Sequence, residues 1–234
     1  MSQKKRILGI IPARGGSKGL PGKNITSLSG RPVINWTIEQ ALAAKLLDRV
    51  IVSTDCPEIA EIAKAAGADV PFLRPAEFAQ DNSSVVDAVV HALETLNESF
   101  DGFCLLEPTS PLRKEGDIDS AVRLLLDEWE NTDAVISVGE PHLENPYLCK
   151  NISANGYLDS LMSQTLTAQR QELPRAYFPY GVFYGLNVQT FLRCRTFYPN
   201  RIRPYFVERW QNYEINDGID LLVIEAIMKN YLHL

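Results

Sequence analysis

Apolar and polar positions follow two alternating rhythms through the first 140 or so residues. Short unbroken apolar runs read as buried strands at Ile7–Pro12, Arg49–Ser53, Val70–Leu73, Gly102–Leu106 and Ala134–Val138. Between them, apolar residues recur at helical spacing over Pro32–Leu47, Pro57–Ala66, Ser83–Leu96 and Ile118–Trp129. Pro32 suits a first helical turn, Gly67 suits a stop, and the Ser83-Ser84 hydroxyls suit a start. Strands alternating with helices predict an α/β fold, a mostly parallel sheet covered by helices on both faces. Ligands of such sheets bind beyond the carboxyl ends of the strands. Three noteworthy loops sit at such ends: the Arg14 loop, Ser53-Thr54-Asp55 and Glu107–Arg113.

The rhythm breaks between about residues 142 and 175, a polar, turn-rich stretch with short β-like pieces at Tyr147–Ile152 and Tyr157–Leu161. It reads as an excursion from the sheet that pairs with another subunit or covers the site. Regular alternation resumes at Gly181–Leu186, followed by a strand near Arg203–Val207 and a last helix from about Gly218 to Tyr231. The 234 residues therefore make one domain with a modest insertion.

A net charge of −6 argues against a nucleic-acid-binding surface, and no apolar stretch approaches the length that crosses a membrane. The apolar run after Lys4-Lys5-Arg6 is too short for a secretory leader and runs straight into a basic, glycine-rich loop. Cys56, Cys104, Cys149 and Cys194 are scattered, without metal-ligand or redox spacing, as expected of free thiols in a reducing cytoplasm. The three histidines, His91, His142 and His233, show no ligand or nucleophile spacing.

An acidic chain that handles an anion must concentrate its cations locally. It does so in Pro12-Ala13-Arg14-Gly15-Gly16-Ser17-Lys18-Gly19-Leu20-Pro21-Gly22-Lys23-Asn24, directly after the first strand. The glycines let backbone N–H groups approach phosphate oxygens, and Arg14, Lys18 and Lys23 surround those donors with positive charge. The spacing is neither a Walker A loop nor a dinucleotide GxGxxG fingerprint.

This loop resembles the signature of the acylneuraminate cytidylyltransferases, also called CMP-sialic acid synthetases. The resemblance continues in order along the chain. It includes Ser53-Thr54-Asp55, Arg74-Pro75-Ala76-Glu77-Phe78-Ala79 with Asp81 and Ser83-Ser84, Leu105–Arg113, and Gly181-Val182-Phe183-Tyr184. It implies a Rossmann-like nucleotidyltransferase fold, a magnesium ion, and a homodimer whose inserted segment reaches toward the partner's site. CTP and an acidic sugar would be the substrates. By position, Arg14, Gly15, Ser17, Lys18, Lys23 and Asn24 would hold the triphosphate, with Arg14 and Lys23 stabilising the charge that develops. Arg74 and Ser84 would meet the cytidine, and Glu107, Arg170 and Tyr184 the sugar.

Two departures stand out. The family usually has Gln before Pro-Thr-Ser-Pro-Leu-Arg, where this chain has Glu107. A carboxylate facing the acceptor favours hydroxyl, amino or amide groups and repels an acid. The family's Asp-x-Asp before the last helix here reads Glu214-Ile215-Asn216-Asp217. Glu214 and Asn216 share a side if that segment is extended, and Asp217 is a second oxygen donor that could also cap the helix. The expected reaction is transfer of CMP from CTP to the anomeric hydroxyl of a nine-carbon 2-keto sugar acid, releasing pyrophosphate. The alternatives are the same chemistry on an eight-carbon keto-deoxy acid, or a nucleotide-binding regulatory module.

Overall fold

The computed structural model describes residues 4–141, 144–162 and 173–234. In chain order, β1 (Ile7–Pro12) leads through the basic loop to a two-stranded hairpin, β2 (Ser27–Leu28) and β3 (Arg31–Pro32), and to α1 (Val33–Ala43). Then follow β4 (Arg49–Ser53), α2 (Pro57–Ala65), α3 (Val85–Thr95), β5 (Gly102–Leu105), α4 (Asp117–Asp127) and β6 (Ala134–Gly139). A small excursion carries β7 (Lys150–Ile152) and β8 (Leu158–Ser160). The chain returns as β9 (Phe178–Asn187), α5 (Val188–Cys194), β10 (Ile202–Phe206) and α6 (Gly218–Ile227), which continues as a wider helical turn at Met228–Leu232.

Six strands form the central sheet in the order β10-β6-β9-β5-β1-β4. β1 pairs in parallel with β4 on one side and β5 on the other, and β6 pairs in parallel with β10. β9 runs antiparallel to both β5 and β6. Each strand of the run Ile7-Leu8-Gly9-Ile10-Ile11 sends alternate side chains to opposite faces, and both faces are covered. Ile7, Ile11, Val50, Val52 and Phe183 pack with α1, α2 and α4; Leu8, Ile10, Ile51, Phe103 and Leu186 pack with α3 and Phe191 of α5. From β1 the chain goes first to one neighbour, β4, and later to the other, β5, so the strand order reverses at β1. That reversal opens a crevice at the carboxyl end of β1, where the basic loop begins.

The helix starts follow their sequence cues. Ser84 caps α3, its hydroxyl accepting from Val86 N at 3.1 Å, and Asn187 caps α5. The expected strand at Val70–Leu73 is reduced to two isolated bridges, Ile51 with Asp69 and Thr54 with Leu73. Pro71 within that run removes a ladder donor, which accounts for the loss. The excursion keeps its two short strands, but both are fully exposed. Parts of it, residues 142–143 and 163–172, lie outside the described residues.

Candidate active site

A cleft of about 270 Å³ opens at the carboxyl ends of β1, β4 and β5, with Arg14, Lys23, Asn24, Arg74, Ser84 and Glu107 among its lining. Residues from Pro12 to Thr109 therefore meet where the topology predicts a ligand. Gly15, Ser17 and Lys18 belong to the loop at its rim, while Arg170 lies outside the described residues.

The loop is tied to its surroundings from both ends. Asn24, buried, donates from Nδ2 to Arg14 O at 3.0 Å, closing the loop on itself. Lys23 reaches from Nζ to Ile215 O at 3.1 Å, and its ammonium pKa is lowered, chiefly by burial. At Gly19 a Cβ would collide with the carbonyl oxygen of Asn216, so only glycine permits the loop to lie on the segment before α6. The Gly15 N–H donates to Asp55 Oδ1 at 3.0 Å. A donor expected to face phosphate is thus held by an internal carboxylate.

The other cations on this side have acidic partners as well. Arg14 donates to Gln80 O at 2.9 Å and pairs with Asp81 at 3.1 Å, and Lys18 pairs with the same carboxylate at 2.9 Å. The two cations, through hydrogen bonds led by Lys18, hold the Asp81 carboxyl below its ordinary range. Arg74 is only 5% exposed; it lies 3.7 Å from Asp55, and its Nε has no protein partner. A buried guanidinium with an unused donor beside a cleft is equipped to bind a polar ligand edge.

The opposite wall is built on Arg113, which sequence reading placed in a signature without giving it a task. It is 6% exposed, and all five guanidinium donors are used. Nε donates to Val182 O at 2.7 Å; the terminal nitrogens donate to Thr37 Oγ1 at 2.9 Å, Gln40 Oε1 at 3.3 Å, Glu107 O at 3.0 Å and Gly181 O at 3.2 Å. Burial lowers its pKa to about 10, which leaves it charged at neutral pH. Arg113 thereby fastens the β5 loop to β9. Ile215 N donates to Thr109 O at 2.8 Å and brings the segment before α6 to the same place.

Gly181 is where these elements converge. Its N–H donates to Glu214 Oε1, and a Cβ there would lie 2.6 Å from Glu107 Oε2 and 2.7 Å from Ser110 Oγ. Glycine inside a strand often marks such a close approach, and this was the available signal for the convergence. Burial, reinforced by the Glu214 charge, pushes the Glu107 carboxyl up to about 7. Tyr184, two strand positions beyond Val182, is buried at the same end. Its ring packs against Phe197 and Tyr198 at centroid distances of 5.8 and 6.4 Å. Burial raises its phenol pKa, and the Glu107 charge adds to that shift.

The three oxygen donors expected for magnesium divide. Glu214 accepts the Gly181 N–H beside Glu107. Asp217 is the N-cap of α6, its Oδ1 accepting from Ile219 N at 2.8 Å and Asp220 N at 3.1 Å. Asn216 is exposed, and its N–H is held by Asp220 at 2.7 Å. Among the described residues no group of three or more His, Cys, Asp or Glu side chains gathers to hold a metal. Two carboxylates, Glu107 and Glu214, do converge, which meets the needs of an ion that takes one or two carboxylates and completes its shell with water and phosphate.

Known proteins agree with this geometry. The family model described as Cytidylyltransferase matches residues 8–227. A CMP-N,N'-diacetyllegionaminic acid synthase of Legionella pneumophila is 34% identical, covering 96% of this chain and 97% of that protein. An N-acylneuraminate cytidylyltransferase of Escherichia coli is 32% identical over 93% of this chain, which spans about half (51%) of that longer protein. A solved CMP:2-keto-3-deoxy-manno-octonic acid synthetase complexed with CTP has the same fold, with a TM-score of 0.73 at 19% identity over 98% of this chain and 100% of that one. The crevice at β1, its cationic loop and the matched residues make this chain a member of the cytidylyltransferase family of nucleotidyltransferases.

Proposed function

We propose that the chain transfers CMP from CTP to the anomeric hydroxyl of a nine-carbon 2-keto sugar acid and releases pyrophosphate. The observation that carries this reading is the cleft itself. A cationic loop and a buried, under-bonded Arg74 line one wall, and a carboxylate-bearing wall faces them. The legionaminic acid synthase, matched over nearly its whole length, supports a nine-carbon acceptor. The eight-carbon alternative has support only in fold, because that structural likeness stands at 19% identity.

Transfer at the α-phosphorus asks little covalent work of a protein; positioning and charge neutralisation dominate. On this reading Lys23 and Arg14, which line the cleft, neutralise the pyrophosphate as it leaves. Arg74 and Ser84 line the same cleft and on this reading meet the pyrimidine. Magnesium, when bound, supplies further neutralisation of the phosphates, and Glu214 fits its preference for oxygen. Binding triphosphate requires Arg14 and Lys18 to exchange Asp81 for phosphate oxygens, a swap of one anion for a stronger one.

A homodimer is part of the same proposal. Ile152, Tyr157 and Leu158 on the excursion are 77%, 72% and 71% exposed, an apolar surface that a second copy would cover. Light scattering of the eluting protein checks this, and a monomer contradicts it. A cytoplasmic setting is likewise proposed, in keeping with the free thiols Cys56, Cys104, Cys149 and Cys194. No helix among the described residues is long and apolar enough to cross a membrane.

The deciding assay follows pyrophosphate release from CTP and magnesium with a panel of sialic, legionaminic, pseudaminic and eight-carbon keto-deoxy acids. Turnover with a nine-carbon acid supports the reading. Turnover with the eight-carbon acid alone replaces it, and silence with all of them leaves a nucleotide-binding module.

A further inference from the structure

Glu107 and Glu214 reach the same glycine from different elements, one from the loop after β5 and one from the segment before α6. Glu214 Oε1 accepts the Gly181 N–H, and Glu107 Oε2 fills the space where a Cβ on Gly181 would stand. Neither carboxylate is in an ion pair among the described residues. The nearest guanidinium, Arg113, spends its five donors on three carbonyls, Thr37 and Gln40. The nearest ammonium, Lys23, donates to Ile215 O. The charges of Arg113 and Lys23 act on the pair, but among the described residues neither donates a hydrogen bond to a carboxylate oxygen of Glu107 or Glu214, so those oxygens keep acceptor sites open.

A second observation points to a ligand at the same spot. Ser110 is fully buried, its Oγ has no hydrogen-bond partner, and it lies 2.7 Å from the same Cβ position that Glu107 Oε2 crowds. A buried hydroxyl without a partner and two converging carboxylates without a direct ion-pair contact are costly unless something pairs them. The residues just before α6 do not offer a second carboxylate: Asp217 is occupied as a helix cap and Asn216 is exposed and uncharged.

We infer that Glu107 and Glu214, backed by the Ser110 hydroxyl, form the site for one hard divalent cation of the magnesium or manganese class. The second carboxylate of the metal site thus comes from the β5 loop instead of the segment before α6. In this chain a glutamate precedes Pro108 for that reason. The inference rests on the nucleotidyl-transfer reading only in naming phosphate oxygens as further ligands; the protein ligands follow from the geometry at Gly181.

The test is direct binding of Mn²⁺ to the full chain, read as loss of the free-ion EPR signal, first without nucleotide and then with CTP and no acceptor. Glu107→Gln and Glu214→Gln each weaken binding at least about tenfold, while Asn216→Ala and Asp217→Ser, which keeps a capping oxygen, stay within about twofold. Thermal melts confirm that each variant is folded, and Glu107→Asp, which keeps the charge, binds more tightly than Glu107→Gln. Unchanged Mn²⁺ affinity in folded Glu107→Gln overturns the site, as does loss of binding in Asn216→Ala. The two readings fail separately. Mn²⁺ bound through Glu107 without pyrophosphate release from any acid removes the reaction and leaves the site. Turnover with Mn²⁺ affinity indifferent to Glu107 removes the site and leaves the reaction.

Discussion

The two walls of the cleft treat charge in opposite ways. On the basic-loop side, three cations already have an internal acid: Arg14 and Lys18 share Asp81, and Arg74 lies beside Asp55, while Lys23 donates to the Ile215 carbonyl. On the opposite side, Glu107 and Glu214 crowd Gly181 with no ion-pair partner. A paired cation can be kept in place cheaply until a stronger anion displaces its partner, because exposed ion pairs are worth about 1 kcal/mol or less. Burial, with the Glu214 charge beside it, pushes the Glu107 carboxyl up, so that it holds a standing demand for a proton or a cation. One wall is set up for exchange and the other for capture.

Removing what holds the walls together should have the largest effect. Arg113→Leu removes the guanidinium donors to Glu107 O, Gly181 O and Val182 O, and should cost about 3–5 kcal/mol in chemical denaturation. A loss under about 1 kcal/mol would show that the β5 loop and β9 are joined by packing alone. Next comes Lys23→Ala, which deletes the cation between the loop and the carboxylate wall. It should lower kcat/KM for CTP roughly 100-fold, with the fold intact by circular dichroism. An unchanged value would remove Lys23 from the phosphate path.

The unpaired wall gives a smaller effect with a pH signature. The Glu107 pKa in the folded state, about 7, stands above its ordinary value. Its contribution to stability is therefore greatest in acid and falls as pH rises from the ordinary glutamate range through about 7. In metal-free protein, Glu107→Gln should remove that fall and raise stability at pH 8 by about 2 kcal/mol relative to pH 5. Parallel stability–pH curves for the two proteins would contradict the assignment. Smallest is Asp81→Asn, which frees Arg14 and Lys18: CTP should bind a few-fold more tightly in calorimetry at low salt, with a steeper dependence on salt. Weaker binding would mean that Asp81 positions these cations for phosphate and does not compete with it.

The same comparison shows what the sequence could and could not reveal. The nucleotide wall was legible because its parts are local: Arg14 to Asn24 form one continuous loop after an apolar strand, and Ser84 is a helix cap in a recognisable place. The strands Ile7–Pro12 and Arg49–Ser53 were legible because unbroken apolar runs leave few alternatives. The carboxylate wall was not, because it exists only through pairing. Glu107 meets Gly181 and Glu214 because β9 runs antiparallel beside β5, and a buried apolar run such as Val182–Leu186 reads alike in either direction. Helix α5 was missed for a related reason: its seven residues follow β9 with no glycine or proline between them, and only Asn187 marks the start. Asp55 and Asp81 stood in recognised motifs, but their role as internal partners of the cations depends on distances that no spacing encodes.

The most direct test of the central claim is to watch the phosphorus. CTP, magnesium and N,N'-diacetyllegionaminic acid are mixed with the protein and followed by ³¹P NMR. CMP transfer predicts that the three CTP resonances give way to one sugar phosphodiester and one pyrophosphate signal in equal amounts, in step with consumption of the acid. Intact CTP after prolonged incubation with this and the other nine-carbon acids, or hydrolysis to CMP without a sugar phosphodiester, would contradict it.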